Sequence, residues 1–298
     1  MNKNFWLFVI PALIWGSTWF TIKFQLGNVD PLVSVVYRYL LAGTIMIGFC
    51  LLLNKKMKFS LKDHGFMALQ GFLLFGVNYW LVYEAEVYLA SGLIAVAYST
   101  LVFLNSGFGA IFLKRAINKQ VLLAALFGLS GTILIFGNEF LGLSFNQETI
   151  VGTVITALSV VIASLGNITS ARNSANAIPV IQANAYGMLY GGIWMFLLAL
   201  ILDRPFSFDT SPAYVISLAY LTVFGSIIAF GTYLTLISRV GADKAAYALV
   251  VIPVIAIVIS TIFENYQITV YAGLGVLLIL IGNVLAIRKR KDVSLAKE

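Results

Sequence analysis

The stretch Tyr79-Trp-Leu-Val-Tyr-Glu-Ala-Glu-Val-Tyr-Leu-Ala-Ser-Gly92 sets two carboxylates, Glu84 and Glu86, inside sequence that otherwise suits hydrocarbon. A charge at membrane depth costs about 2.5–3.5 kcal/mol or more, so it needs a partner or a wet cavity. Two lone cations, Lys23 and Arg38, lie in neighbouring apolar runs at what should be the same depth. Three kinds of chemistry fit the four charges. A carboxylate can pair with Arg38 or Lys23, it can titrate and carry a proton, or Arg38 can hold the carboxylate of a substrate. The alternatives are structural: both glutamates reach the headgroups beyond the end of their helix, Arg38 sits in a buried pair, and Lys23 snorkels to the interface.

Aromatic and amide residues surround these charges. Tyr79, Tyr83 and Glu86 are spaced i, i+4, i+7 and share a helical face, while Trp80 and Glu84 form a second stripe. Pro11, Trp15, Trp19 and Lys23 recur every four residues in the first apolar run. Lipid-facing tryptophan favours the interfaces, so Trp15 near the middle reads as a cavity lining and Trp19 as cavity or interface. Ser91, Tyr98 and Asn105 follow at heptad spacing, with Asn78 before them and Gln182 and Asn184 later. Each buried amide is either substrate contact or interhelical glue. Tyr233 and Tyr247 are the second-half candidates, and Pro253 should open a kink. Gly187-Met-Leu-Tyr-Gly191 marks close packing, within one protomer or across a homodimer. No HExxH, CxxC, Walker-type loop or GxSxG is placed for catalysis, so no cofactor, metal or enzymatic role is expected.

The elements that must position these residues follow from composition. The chain is 60% hydrophobic and 10% charged, with a mean hydropathy of +0.96; average soluble domains are roughly 25% charged. Lipid is its solvent. Runs near the ~20 residues a bilayer requires occur at about 5–24, 32–53, 64–87, 91–113, 120–137, 149–171, 180–202, 212–236, 244–263 and 269–287. An all-α membrane protein of ten transmembrane helices is expected. With both termini cytoplasmic, Lys3, the 55–62 and 114–119 loops, Arg172, Arg239, Lys244, Arg288 and the 289–298 tail face inward. Of the 19 Lys and Arg residues, only Lys23, Arg38 and Arg204 fall outside that inward set, a strong positive-inside bias. The net charge of +7 therefore reports topology and not nucleic-acid binding. Cys50 is the sole cysteine, so no intrachain disulfide exists.

A faint repeat appears at an offset near 150: Lys23 with Arg172, Pro31 with Pro179, Gly43 with Gly191, Phe75-Gly76 with Phe224-Gly225, Gly131 with Gly282. Residues 1–138 and 149–288 then form two five-helix repeats. Because five is odd, the repeats are inverted, an arrangement common in secondary transporters.

The ordered set of Trp15-Gly-Ser-Thr, Arg38-Tyr-Leu-Leu-Ala-Gly, Tyr88-Leu-Ala-Ser-Gly92, Pro253, Phe263-Glu264 and Gly273 to Gly282 resembles the drug/metabolite transporter superfamily, EamA type. The resemblance implies a bacterial inner-membrane exporter of amino acids or similar small metabolites. It also implies a central cavity between helices 1–4 and 6–9, with the fifth and tenth peripheral. The proline often found in the family's fourth helix is missing from Leu101-Val-Phe-Leu104, a departure from the family's paired prolines. A carrier of nucleotide-sugar or lipid-linked phosphates from the same superfamily is the nearer alternative. A membrane-embedded enzyme is the more distant one.

Overall fold

The structure is a computed structural model that describes residues 3–114, 123, 126–131, 134, 147–240 and 247–287. Among these residues all regular secondary structure is helical, with no strands. The helices are α1 Lys3–Ile22, α2 Pro31–Leu52, α3 Leu61–Tyr88, α4 Ser91–Tyr98, α5 Leu101–Leu113, α6 Gln147–Ala175 and α7 Val180–Ile201. α8 begins at Pro212–Tyr220 and continues through Leu221–Ile228 into Ala229–Val240. α9 is Tyr247–Phe263 and α10 is Val270–Ile287. Six of the described helical stretches are long and apolar enough to cross a membrane, and α4 with α5 forms a further candidate bent by 42°. Most of the expected fifth span lies outside the described residues.

Local chemistry starts the helices where the apolar runs begin. Asp30 accepts from the Leu32 amide at 2.8 Å ahead of Pro31, whose missing N–H and fixed φ suit the first helical position. Ser60 accepts from the Asp63 amide at 3.1 Å to cap α3, and Ser211 with Pro212 repeats the arrangement on α8. α6 runs past the expected end at 171 because its polar residues find partners on α3. Asn173 donates to Gln70 at 3.0 Å, and Arg172 lies 3.8 Å from Asp63.

Close backbone approach holds the interior together, as expected where lipid offers no hydrophobic drive between helices. A Cβ on Gly191 would lie 2.7 Å from the Gly71 carbonyl, and one on Gly192 would lie 2.7 Å from the Leu40 amide. The Gly187–Gly191 motif therefore packs α7 on α2 and α3 within one chain. α3 and α8 each carry a π-helical segment, Gly71–Val77 and Leu221–Ile228. The bend between α4 and α5 needs no proline: Ser99 and Thr100 hydroxyls donate to the carbonyls of Val96 and Ala97, at 2.5 and 2.7 Å. α9 continues as a helix on both sides of Pro253.

Candidate functional site

Two clusters of the expected residues meet at the centre of the bundle. α1 presents Trp15 and Trp19 one turn apart. Trp15 Nε1 donates to the Gly225 carbonyl of α8 at 3.1 Å. Its ring lies 5.0 Å from Phe230 and 5.3 Å from Tyr233, both edge-on. Gly225 lies inside the π segment, where the i→i−4 ladder is rearranged. Trp19 lies 4.9 Å from Tyr98, whose hydroxyl bonds to Asn78 of α3 and, at 3.0 Å, to Ser159 of α6. Aromatic faces and polar oxygens from α1, α3, α4, α6 and α8 thus line one region.

Arg38 occupies the second cluster and is 1% exposed. Its Nε donates to Ser226 Oγ at 3.2 Å and its Nη1 to the Tyr83 hydroxyl at 3.4 Å. The guanidinium lies 4.6 Å from the Tyr79 ring centre and 5.2 Å from that of Tyr39, at cation–π range. Among the described residues no carboxylate comes within 4.0 Å of it. The expected ion pair between Arg38 and Glu84 or Glu86 does not form. The ring faces of Tyr39 and Tyr79 and the hydroxyls of Tyr83 and Ser226 surround the cation instead. Tyr79 and Tyr83 do share the face their spacing predicts, both turned to Arg38.

The two glutamates part company. Glu84 accepts from Trp80 Nε1 at 2.9 Å, a local pair along one helix that is bound neither to Arg38 nor to Lys23. Glu86 is 1% exposed, and neither of its carboxylate oxygens has a hydrogen-bond partner. Lys23, Glu264 and Arg38 lie within electrostatic reach of it. Lys23 does not snorkel. Its ammonium turns inward to the carbonyls of Glu86 and Leu89, the latter at 2.8 Å, and sits 3.7 Å from Glu264.

Glu264 closes this end of the bundle. It accepts from Ser91 Oγ at 2.6 Å, from the Ser91 amide at 3.2 Å and from Ser260. Ser260 in turn accepts from the Gly92 amide at 2.7 Å and lies 3.0 Å from Ser91 Oγ. A carboxylate at the first amides of α4 and an ammonium at the last carbonyls of α3 each satisfy unpaired helix ends and complement the helix dipoles. Ser260 went unnoticed in the sequence, and Glu264 entered it only through Phe263-Glu264 and as a loop residue, not as a site residue. The i, i+4 spacing of Ser260 and Glu264 was the available signal.

Other candidates lie elsewhere. Asn105 accepts from Ser164 at 2.8 Å and from Asn167 at 3.4 Å, joining α5 to α6 away from the tryptophans. Asn184 accepts from Gln70 at 2.9 Å, an interhelical bond between α7 and α3. Tyr247 begins α9, and its side chain lies outside the described residues. At the opposite end from Glu264, a cavity of about 320 Å³ opens between α3, α5 and α6, lined by Phe66, Leu69, Phe112, Ile168 and Arg172 among others. None of the expected site residues lines it. In the connection ahead of α8, the Ser211 amide and the Asn28 side chain hold the Asp209 carboxyl below the usual carboxylate range.

Comparison with known proteins gives this arrangement a context. The sequence profile of the EamA-like transporter family matches residues 3–137 and again residues 140–288. The chain is 25% identical over 285 residues to the uncharacterized transporter YoaV of Bacillus subtilis, covering 94% of this chain and 96% of that one. It is 29% identical over 251 residues to the uncharacterized inner membrane transporter YedA of Escherichia coli K12, covering 84% and 79%. One solved crystal structure superposes with a TM-score of 0.69 over 95% of this chain and 96% of its own, at 18% identity, and so shares the fold.

Proposed function

The chain belongs to the EamA-like transporter family of the drug/metabolite transporter superfamily, and from that premise we propose that it exports amino acids or similar small metabolites across the bacterial inner membrane. It is a transporter and not an enzyme, as its family and relatives are. The observation that carries the substrate reading is the central pairing of flat aromatic walls with polar oxygens: Trp15 against Tyr233, and Trp19 beside Tyr98, Asn78 and Ser159. Such a lining suits a small molecule with an apolar side chain and a polar end.

The two profile matches support two repeats of one unit, and the positive-inside pattern of the sequence supports their inversion. Alternating access is then a rocking of one half on the other. With the Lys55–Lys62 loop placed inside, the Lys23–Glu264 lattice is the outer closure and the cavity beside Arg172 lies toward the cytoplasm. The phosphate-carrier reading is the weaker one. A polyanionic substrate calls for several interior cations, and among the described interior residues Arg38 alone is fully buried while Lys23 is engaged at the closure.

A thermal-shift panel of the twenty amino acids on purified protein, followed by counterflow in proteoliposomes, tests the proposal. A ligand that binds only the folded state raises the melting point with concentration. Stabilisation by at least one amino acid with saturable counterflow is expected. Stabilisation by sugar nucleotides alone would overturn the amino-acid reading in favour of the carrier.

A further inference from the structure

Arg38 and Glu86 are the two fully buried side chains of the Lys, Arg, Asp and Glu types in the described interior, and neither has an oppositely charged group bonded to it. Buried charges are ordinarily paired, because an uncompensated one loses its hydration for nothing in return. One hydroxyl connects them. Tyr83 accepts from Arg38, stands three residues before Glu86 on the same face of α3, and lies within electrostatic reach of both. The pair thus sets a guanidinium and a carboxyl group on adjacent helices, both within electrostatic reach of one tyrosine.

The orientation of the guanidinium sharpens this. Its Nε is held by Ser226, and its Nη2 is the nitrogen nearest Gly225, where a Cβ would lie 3.3 Å away. The Nε–Nη2 edge, the one that binds a carboxylate side-on through two parallel bonds, therefore faces α8. Ser226 and Gly225 belong to the second half of the chain, whereas Arg38, Tyr79 and Tyr83 belong to the first. A movement that parts the halves withdraws a neutral hydroxyl from that edge and leaves the guanidinium steadied by the tyrosines.

We propose that Arg38 and Glu86 recognise the two charges of a zwitterionic α-amino acid, Arg38 taking the carboxylate on its Nε–Nη2 edge and Glu86 taking the ammonium. This rests on the amino-acid reading above and deepens it. The clamp selects for the backbone of the amino acid, while the Trp15–Tyr233 and Trp19–Tyr98 walls receive its side chain.

Equilibrium binding of tritiated phenylalanine or leucine to purified protein, with unlabelled competitors, tests it. The competitors are phenethylamine and 3-phenylpropionate for phenylalanine, and 3-methylbutylamine and 4-methylpentanoate for leucine. The wild type should prefer each amino acid over both analogues by on the order of tenfold or more, since a site built to bond a group rejects ligands lacking it. Arg38→Lys, which keeps the charge and removes the fork, should selectively lose the preference over the amines. Glu86→Gln should selectively lose the preference over the acids. Equal competition by the analogues in the wild type overturns the clamp while leaving amino-acid binding intact. Variants with lower melting points but unchanged ratios overturn it too, by showing that the charges act only in packing. Tyr83→Phe guards against poor folding of the charge variants, because it leaves both poles in place and should weaken both preferences together. If no amino acid binds at all, the parent reading falls, and the thermal-shift panel reports that separately.

Discussion

The Tyr98 hydroxyl stands between two acceptors, Asn78 Oδ1 and Ser159 Oγ, and has one proton to give. Ser159 also donates to the Thr156 carbonyl at 2.7 Å, so Asn78 depends on Tyr98 more than Ser159 does. Tyr98→Phe leaves the Asn78 oxygen buried without that donor, at a cost of about 1–3 kcal/mol. Its melting point should fall clearly, while Ser159→Ala should fall less; the reverse order in a thermal melt would show that Asn78 has another donor. Residues at this scale were legible where a polar type stood at an improbable depth. Arg38, Glu86, Trp15 and Tyr83 announced themselves in that way; the first two and Tyr83 are fully buried, and Trp15 is half-buried. What the sequence could not supply was the choice of partner. Arg38 had two carboxylates within reach in a helical projection and took hydroxyls and ring faces, because side-chain direction depends on how α2, α3 and α8 rotate against each other.

α7 meets α2 and α3 through glycine, and the surface of each is fixed by what a single methyl would strike. Gly191→Ala places a Cβ 2.7 Å from the Gly71 carbonyl and 3.0 Å from Phe75 Cβ, backbone and rigid side chain that cannot step aside. Overpacking of this kind costs about 1–3 kcal/mol. A lowered melting point and reduced yield of folded protein are expected. Gly48 in α2 is the control, since a Cβ there meets nothing within 4 Å. Gly48→Ala should be neutral or stabilising by about 0.4–1 kcal/mol through the unfolded chain. Equal melting points for the two variants would remove the claim that α7 seats on α3 at Gly191. The extents of α1, α2, α3 and α7 were readable to within a few residues, because a run that dissolves in lipid has few other conformations open to it. The π segments in α3 and α8 and the bend at Ser99–Thr100 were not readable. They depend on which carbonyl a neighbouring helix or hydroxyl claims, and no periodicity in the run records that.

Across the whole molecule, the described ionic contacts that join distant helices lie toward the two ends, and the Trp15 ring contacts with Phe230 and Tyr233 lie in between. At one end Lys23, Glu264, Ser91 and Ser260 tie α1, α4 and α9 together, with Lys23 also capping α3. If the halves rock about the aromatic centre, this lattice must break once in every cycle. Ser91 Oγ and Ser260 Oγ are 3.0 Å apart, close enough for cysteines at the two positions to bring their sulfurs together. In a Cys50→Ser background, which removes the sole native thiol, Ser91→Cys with Ser260→Cys should form a disulfide under mild oxidation. The crosslinked protein should keep its ligand-induced thermal shift, as the central residues are untouched, yet lose counterflow nearly completely. A reductant should restore it, and either single cysteine variant should transport with or without oxidant. Full counterflow from fully crosslinked protein would mean that α4 and α9 never separate at Ser91 and Ser260. The moving boundary would then have to lie elsewhere, with the Lys23–Glu264 lattice a permanent brace between the halves.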